Sequence, residues 1–208
     1  MAEVVSRMCA RVYLLVVAHL LWVAGTLLGL VVMGAGPATF ALYTIVSSPA
    51  EDVSARVLAR RFLSVYRERF WKANALWGLY FAGAAVVALG SIAVDALPGA
   101  SSVICRAALV SAGIAIGISA LMASPAAERV GLPASPVAAL RQSLLYGIAR
   151  FPVTLVGLLA AAAVVIAVLQ IPGLALALGP NAVFAFIAVL EARHARIRAQ
   201  DEVPQNAV

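Results

Sequence analysis

The chain has 208 residues, 64% of them hydrophobic and 12% charged, with a mean hydropathy of +1.02 and a net charge of +6. Soluble domains run near half apolar and a quarter charged, so this balance excludes an ordinary water-soluble globule. A basic excess in a soluble protein would raise nucleic acid as a partner; among recurring apolar runs it reads instead as the charge that orients membrane spans, and no nucleic acid is expected.

Arg7 and Arg11 precede an apolar run over 12–33. That run exceeds the roughly 7–15 residues of a secretory signal core, so it is read as a retained first span. The segment Gly34-Ala35-Gly36-Pro37 leads into a second, short span over 36–48, with Pro37 preorganised for a first helical turn. After Ser48-Pro49 comes a basic helix over 54–71. Leu58, Phe62, Leu63, Val65, Tyr66 and Phe70 share one side of it, and Arg60, Arg61, Ser64, Arg67 and Glu68 the other. Such a helix is expected to lie on the anionic cytoplasmic leaflet or against a partner. Arg69 is the exception, projecting into the apolar sector.

Spans over 73–94 and 102–123 follow, joined by Asp95 and a Leu97-Pro98-Gly99 turn. The second is rich in small residues (Ser111, Ala112, Gly113, Gly117, Ser119) that let helices approach closely in lipid. Ser124-Pro125 is expected to break it, ahead of a second surface helix over 136–150. Two spans remain, 152–169 and 173–190, separated by Gln170-Ile171-Pro172-Gly173, with Gly179-Pro180 expected to kink the last. The expected fold is an all-α integral membrane protein: one polytopic domain over 1–198 with six transmembrane helices, two cytoplasmic amphipathic helices and a polar tail over 199–208.

Charge placement tests that count. With six crossings, 14 of the 15 Lys and Arg residues fall on one side, which the positive-inside rule makes cytoplasmic, together with both termini. Five crossings would largely erase the asymmetry. A loose parallel repeat is also legible. Ser48-Pro49 pairs with Ser124-Pro125, and Arg69-Phe70 with Arg150-Phe151; taken as a repeat, it implies a pseudo-two-fold axis along the membrane normal.

Little in the chain points to catalysis. Cys9 and Cys105 have no pairing or metal-ligand spacing, and the two histidines, His19 and His194, lie near opposite ends. Gly34-Ala35-Gly36-Pro37 lacks the Lys-Ser/Thr of a phosphate loop. No enzyme activity, metal or cofactor is therefore expected. His19 is the one ionisable residue deep in a hydrophobic run and is a candidate functional position, against the plainer reading of a neutral, hydrogen-bonded imidazole. Arg69 and Arg150 read either as snorkelling to phosphate headgroups or as a matched pair pinning the surface helices beneath the bundle. Asn74, Gln170 and Asn181 read as interhelical hydrogen-bonding groups. Trp71 suits the interfacial belt, while Trp22 and Trp77 read as packing residues. Asp95 and Arg106 flank the external turn as a surface ion pair of little energetic weight.

At Leu20-Leu21-Trp22, at Gly36-Pro37-Ala38-Thr39-Phe40-Ala41-Leu42-Tyr43 and at Phe70-Trp71-Lys72-Ala73-Asn74, the chain resembles the YesL-like family of small bacterial membrane proteins. The likeness extends over most of 10–195. Its most specific block contains Gly36, Pro37, Ala38, Thr39, Leu42 and Tyr43, and family members often carry Asn where this chain has His19. Family genes commonly stand beside carbohydrate ABC importers. The resemblance thus implies a non-catalytic accessory of sugar import in the bacterial cytoplasmic membrane, with importer permease subunits as partners and a homo-oligomer left open. The competing classes are a small stand-alone transporter or channel and a membrane sensor or structural protein.

Overall fold

The computed structural model describes residues 2–47, 54–96, 98–170 and 183–192, and among these residues every regular element is an α-helix. They are α1 (Ala2–Leu28), α2 (Val32–Val46), α3 (Ala55–Val94), α4 (Ala100–Val130), α5 (Pro136–Ala149), α6 (Phe151–Gln170) and α7 (Val183–Ala192). Within α1, α3 and α4 lie three segments long and apolar enough to cross a membrane. The pair α5–α6, bent by 103°, would add a fourth. The protein is an all-helical membrane protein.

The short helix α2 is the axis of the fold. Gly34 and every residue from Gly36 to Val46 are buried, so beyond its exposed first residues, Val32 and Met33, the helix has almost no outward face. An α-helix that is apolar all round is stable only when enclosed. Ala38, Ala41, Leu42, Tyr43, Ile45 and Val46 join a core with Leu14, Ala18, Phe62, Met122, Val153 and Ile187. Phe40 faces Ala73, Leu76, Tyr80, Ala123, Ala127 and Ala139 in a second core.

The α1–α2 connection is tight. Val31 takes φ 64° and ψ −62°, and Val32 N donates to Leu30 O at 2.8 Å, which closes a γ-turn around a β-branched residue. Gly29 and Gly34 face each other across it, and a Cβ on Gly29 would come within 2.3 Å of Gly34 Cα. Both positions need glycine for the backbones to meet at all. The helix begins at Val32, so Pro37, expected at its start, lies inside it.

Two further expectations are corrected. The basic segment and the span after it form one 40-residue helix, α3, rather than a surface helix followed by a crossing. No Pro or Gly occurs from Ala55 to Trp77, and the many Ala, Leu and Arg residues favour continuation. At about 1.5 Å per residue the rod is about 60 Å long, roughly twice a bilayer's hydrocarbon core. Ser124-Pro125 does not end α4, which runs on to Val130. The proposed repeat units also differ where they align. The chain is continuous through Arg69-Phe70, but between α5 and α6 it breaks at Arg150 (φ −111°, ψ 37°), just before Pro152. The Gly179-Pro180 kink and Asn181 lie outside the described residues, as does His194.

α3 and α4 form a long antiparallel hairpin. Gly83 meets Ile116, Gly90 meets Leu109, and Arg106 pairs with Asp95 at 2.7 Å beside the turn. Towards the other end Tyr80 bonds Ser119 at 3.0 Å, and Ser119 donates to Leu140 O of α5. Val86, Leu89, Ile92, Val103, Ile104 and Val110 stand exposed on the distal half, as lipid-facing side chains do.

Candidate functional site

The amphipathic face of α3 is spent inside the molecule. Leu58, Phe62 and Tyr66 are buried, and Phe62 lies against Gly25, where a Cβ would meet its ring at 2.9 Å. Tyr66 donates to Gly25 O at 3.0 Å. These three residues of the apolar stripe therefore pack on the α1–α2 hairpin of their own chain, while Leu63 stays exposed. Arg56, Arg60, Arg61, Arg67 and Lys72 are left exposed on the outer face.

Further along α3, Arg69 leaves that outer face. Its Nη1 donates to Glu128 Oε1 at 2.6 Å, and Thr44 Oγ1 donates to the same oxygen at 2.6 Å. Both charged side chains are largely covered, at 20% and 24% exposed. Arg69 is thus ion-paired within the protein and does not snorkel to a headgroup. The next residue on α4, Arg129, pairs with Glu191 Oε2 of α7 at 3.3 Å. Glu191 is almost fully enclosed and also accepts from Tyr43 of α2, at 3.4 Å, and from Tyr146 of α5. Arg150 lies over the Tyr146 ring, 5.7 Å from its centre.

Five helices thereby send polar groups to one end of the bundle: α2 (Tyr43, Thr44), α3 (Arg69), α4 (Glu128, Arg129), α5 (Tyr146, with Arg150 as its cap) and α7 (Glu191). A buried carboxylate is costly unless paired and fully hydrogen-bonded. Glu191 meets that condition with two phenols and a guanidinium. Arg69 and Arg150 are both part of this cluster, but with different roles, one an ion pair and the other a cation over a ring. They do not touch; Glu128, Arg129, Glu191 and Tyr146 stand between them.

The remaining candidates fall elsewhere. His19 stacks on Trp22 with ring centres 6.0 Å apart. Trp22 Nε1 donates to Thr39 Oγ1 at 3.3 Å, and Thr39 donates to Ala35 O at 2.7 Å. Trp22, Thr39 and Trp77 border a cavity of about 480 Å³ whose other walls, such as Leu121, Leu158 and Phe184, are apolar. Trp77 closes over Gly36, where a Cβ would lie 2.7 Å from its ring. Asn74 donates to Phe70 O of its own helix at 3.0 Å, and among the described residues it makes no hydrogen bond to another helix. Gln170 ends α6 in an exposed position, and Trp71 is 74% exposed. Among the described residues no His, Cys, Asp and Glu group is arranged to hold a metal ion, and Cys9 and Cys105 are free thiols.

Sequence reasoning did not single out Glu128 or Glu191. The available signal was their spacing from the membrane: each is the first acidic residue after a long apolar run, where a carboxylate needs a partner.

Residues 15–91 match the model of a family described as "Protein of unknown function, DUF624". The match takes in the spanning part of α1, all of α2 and most of α3, which is the hairpin together with the helix laid against it. No curated protein and no solved structure matches the chain.

Proposed function

We propose that this protein is a non-catalytic, multi-pass accessory of carbohydrate ABC import in the bacterial cytoplasmic membrane, a reading that rests on the YesL-like resemblance. The observation that favours an accessory over a transporter is the disposition of polar groups. The carboxylates of the cluster, Glu128 and Glu191, are each paired with an arginine, and the cavity beside Trp22 is too apolar to hold a sugar. Sugar sites need converging hydrogen-bonding groups. Among the groups turned outward are the cations of the first half of α3, which suit an acidic surface on an importer subunit.

The accompanying orientation has both basic segments cytoplasmic; six crossings do not fit the packing, because they would put the turn after α1 across the membrane from Tyr66, which donates to Gly25 O at 3.0 Å. Support comes from the opposite ends of the α3–α4 hairpin: Arg69 and Arg129 stand near one end, and the lone pair Asp95–Arg106 marks the other.

Purification of the tagged full chain from its native host in mild detergent tests the role. Importer permease subunits should co-purify, and deletion of the gene should impair sugar uptake. A lone oligomer that moves solute in proteoliposomes would establish the transporter reading instead.

A further inference from the structure

Beyond the polar cluster, α5 forms one wall of an open cleft of about 750 Å³ against the end of α4 and the connection that follows it. The connection is fixed in place: Gln142 Nε2 donates to Gly131 O at 2.8 Å, and Ser135 caps α5 by accepting from Ala138 N. Val130, Pro133, Val137 and Leu145 give the cleft an apolar lining, with Val130, Val137 and Leu145 each more than half exposed. Arg141 stands on its rim, also exposed.

Charge around the cleft is one-sided. Between Glu128 and Glu191 the sequence contains no Asp or Glu, and its only charged residues there are Arg129, Arg141 and Arg150. Arg129 is engaged with Glu191, and Arg150 rests on Tyr146. No carboxylate among the described residues pairs with Arg141. Among the described residues the cleft therefore offers one guanidinium with no carboxylate on it, beside a bare apolar trough at the end of the bundle where the paired arginines collect. A guanidinium recognises phosphate with two parallel hydrogen bonds, and an apolar trough beside it accepts hydrocarbon.

We propose that the α4–α5 cleft is a binding site for one anionic phospholipid, with its phosphate on Arg141 and the start of an acyl chain along Val137 and Leu145. This site is independent of the importer role, since it requires only that α5 lie at a membrane interface.

Native mass spectrometry of the purified full chain, offered phosphatidylglycerol or phosphatidylcholine of the same acyl composition, tests it. One phosphatidylglycerol should be retained with about fivefold preference, the effect of one cation near an anionic headgroup. Arg141→Gln should abolish the preference while the melting temperature stays unchanged, and Arg141→Lys should keep part of it. Leu145→Ser should lower retention of both lipids. Equal retention of the two lipids, or a preference that survives Arg141→Gln, would overturn the proposal. Displacement of the lipid by a poly-glutamate peptide or by water-soluble glycerophosphoglycerol at matched charge would overturn it as well, reassigning the cleft to an acidic protein segment or a free phosphate.

Discussion

Arg69 and Glu128 are 59 positions apart in sequence and meet at 2.6 Å, and Thr44 donates to the same carboxylate oxygen. Three helices converge on that one atom. Exposed ion pairs contribute almost nothing, whereas breaking a buried one costs several kcal/mol because a charge is stranded. This pair is covered but not sealed, so Glu128→Gln should destabilise the protein by about 1–3 kcal/mol. In a double-mutant cycle with Arg69→Gln the two losses should be strongly non-additive. Additive losses measured by thermal unfolding in detergent would show that the contact carries no coupling.

Glu191 is the attachment point of α7. Its carboxylate holds Arg129, Tyr43 and Tyr146. Glu191→Ala leaves two phenols and a guanidinium without their acceptor, while the apolar contacts of Val183, Phe184 and Ile187 remain. Local opening of the C-terminal helix should therefore precede global unfolding. Limited proteolysis should clip the variant upstream of 183 faster than the parent, with α1–α4 left intact. A cleavage pattern identical to the parent's would remove Glu191 from this role.

Two glycines make a paired test of packing. A Cβ on Gly36 would press on the Trp77 ring at 2.7 Å, whereas nothing lies within 4 Å of one on Gly78. Overpacking costs about 1–3 kcal/mol, against a gain of about 1 kcal/mol when Ala replaces Gly in a helix. Gly36→Ala should lower stability and Gly78→Ala should leave it unchanged or raise it. Trp77→Phe should relieve part of the Gly36→Ala loss. Equal melting temperatures for the two alanine variants would contradict the close approach.

Val31 occupies the left-handed half of backbone space, which β-branched residues rarely enter. Val31→Gly should raise stability by about 1 kcal/mol, since the strained conformation costs of that order and the side chain is half exposed. A loss of stability would mean that the turn is not formed this way.

For topology, single cysteines placed in a background lacking Cys9 and Cys105 distinguish the two faces. Those at Ser54 and Ser135 should be protected from an impermeant thiol reagent in intact cells, and one at Gly99 should be labelled. Labelling at Ser54 would reverse the orientation.

The helical membrane class was legible from composition and from the length of the apolar runs, because both report directly on the solvent the chain needs. The two-sided character of the first half of α3 was legible too: Leu58, Phe62 and Tyr66 recur at helical spacing and are buried, while Arg60, Arg61 and Arg67 face out. What covers that stripe was not legible, since a bilayer, a partner and the protein's own hairpin all present apolar surface. Only the glycine at position 25, small enough to admit the Phe62 ring, hints at the answer. The continuity of α3 was obscured by a change in composition at Lys72 that has no conformational consequence. The polar cluster was half visible. Arg69 and Arg150 stood out as cations in apolar settings, but their link runs through Glu128 and Glu191, whose sequence separations no local pattern encodes.

The enclosure of residues 36–46 of α2 bears on biosynthesis. Its wall includes Leu76 of α3, Ala123 and Ala127 of α4, and Ile187 of α7, all of which leave the ribosome after it. The Gly36–Tyr43 block therefore emerges with only its α1 neighbours in place and cannot reach its final surroundings as an independently inserted unit. Nascent chains arrested before residue 130 should leave this block open to protease, and chains arrested beyond 192 should protect it. Protection already complete in the shorter chains would show that the elements before the end of α4 suffice to shelter it.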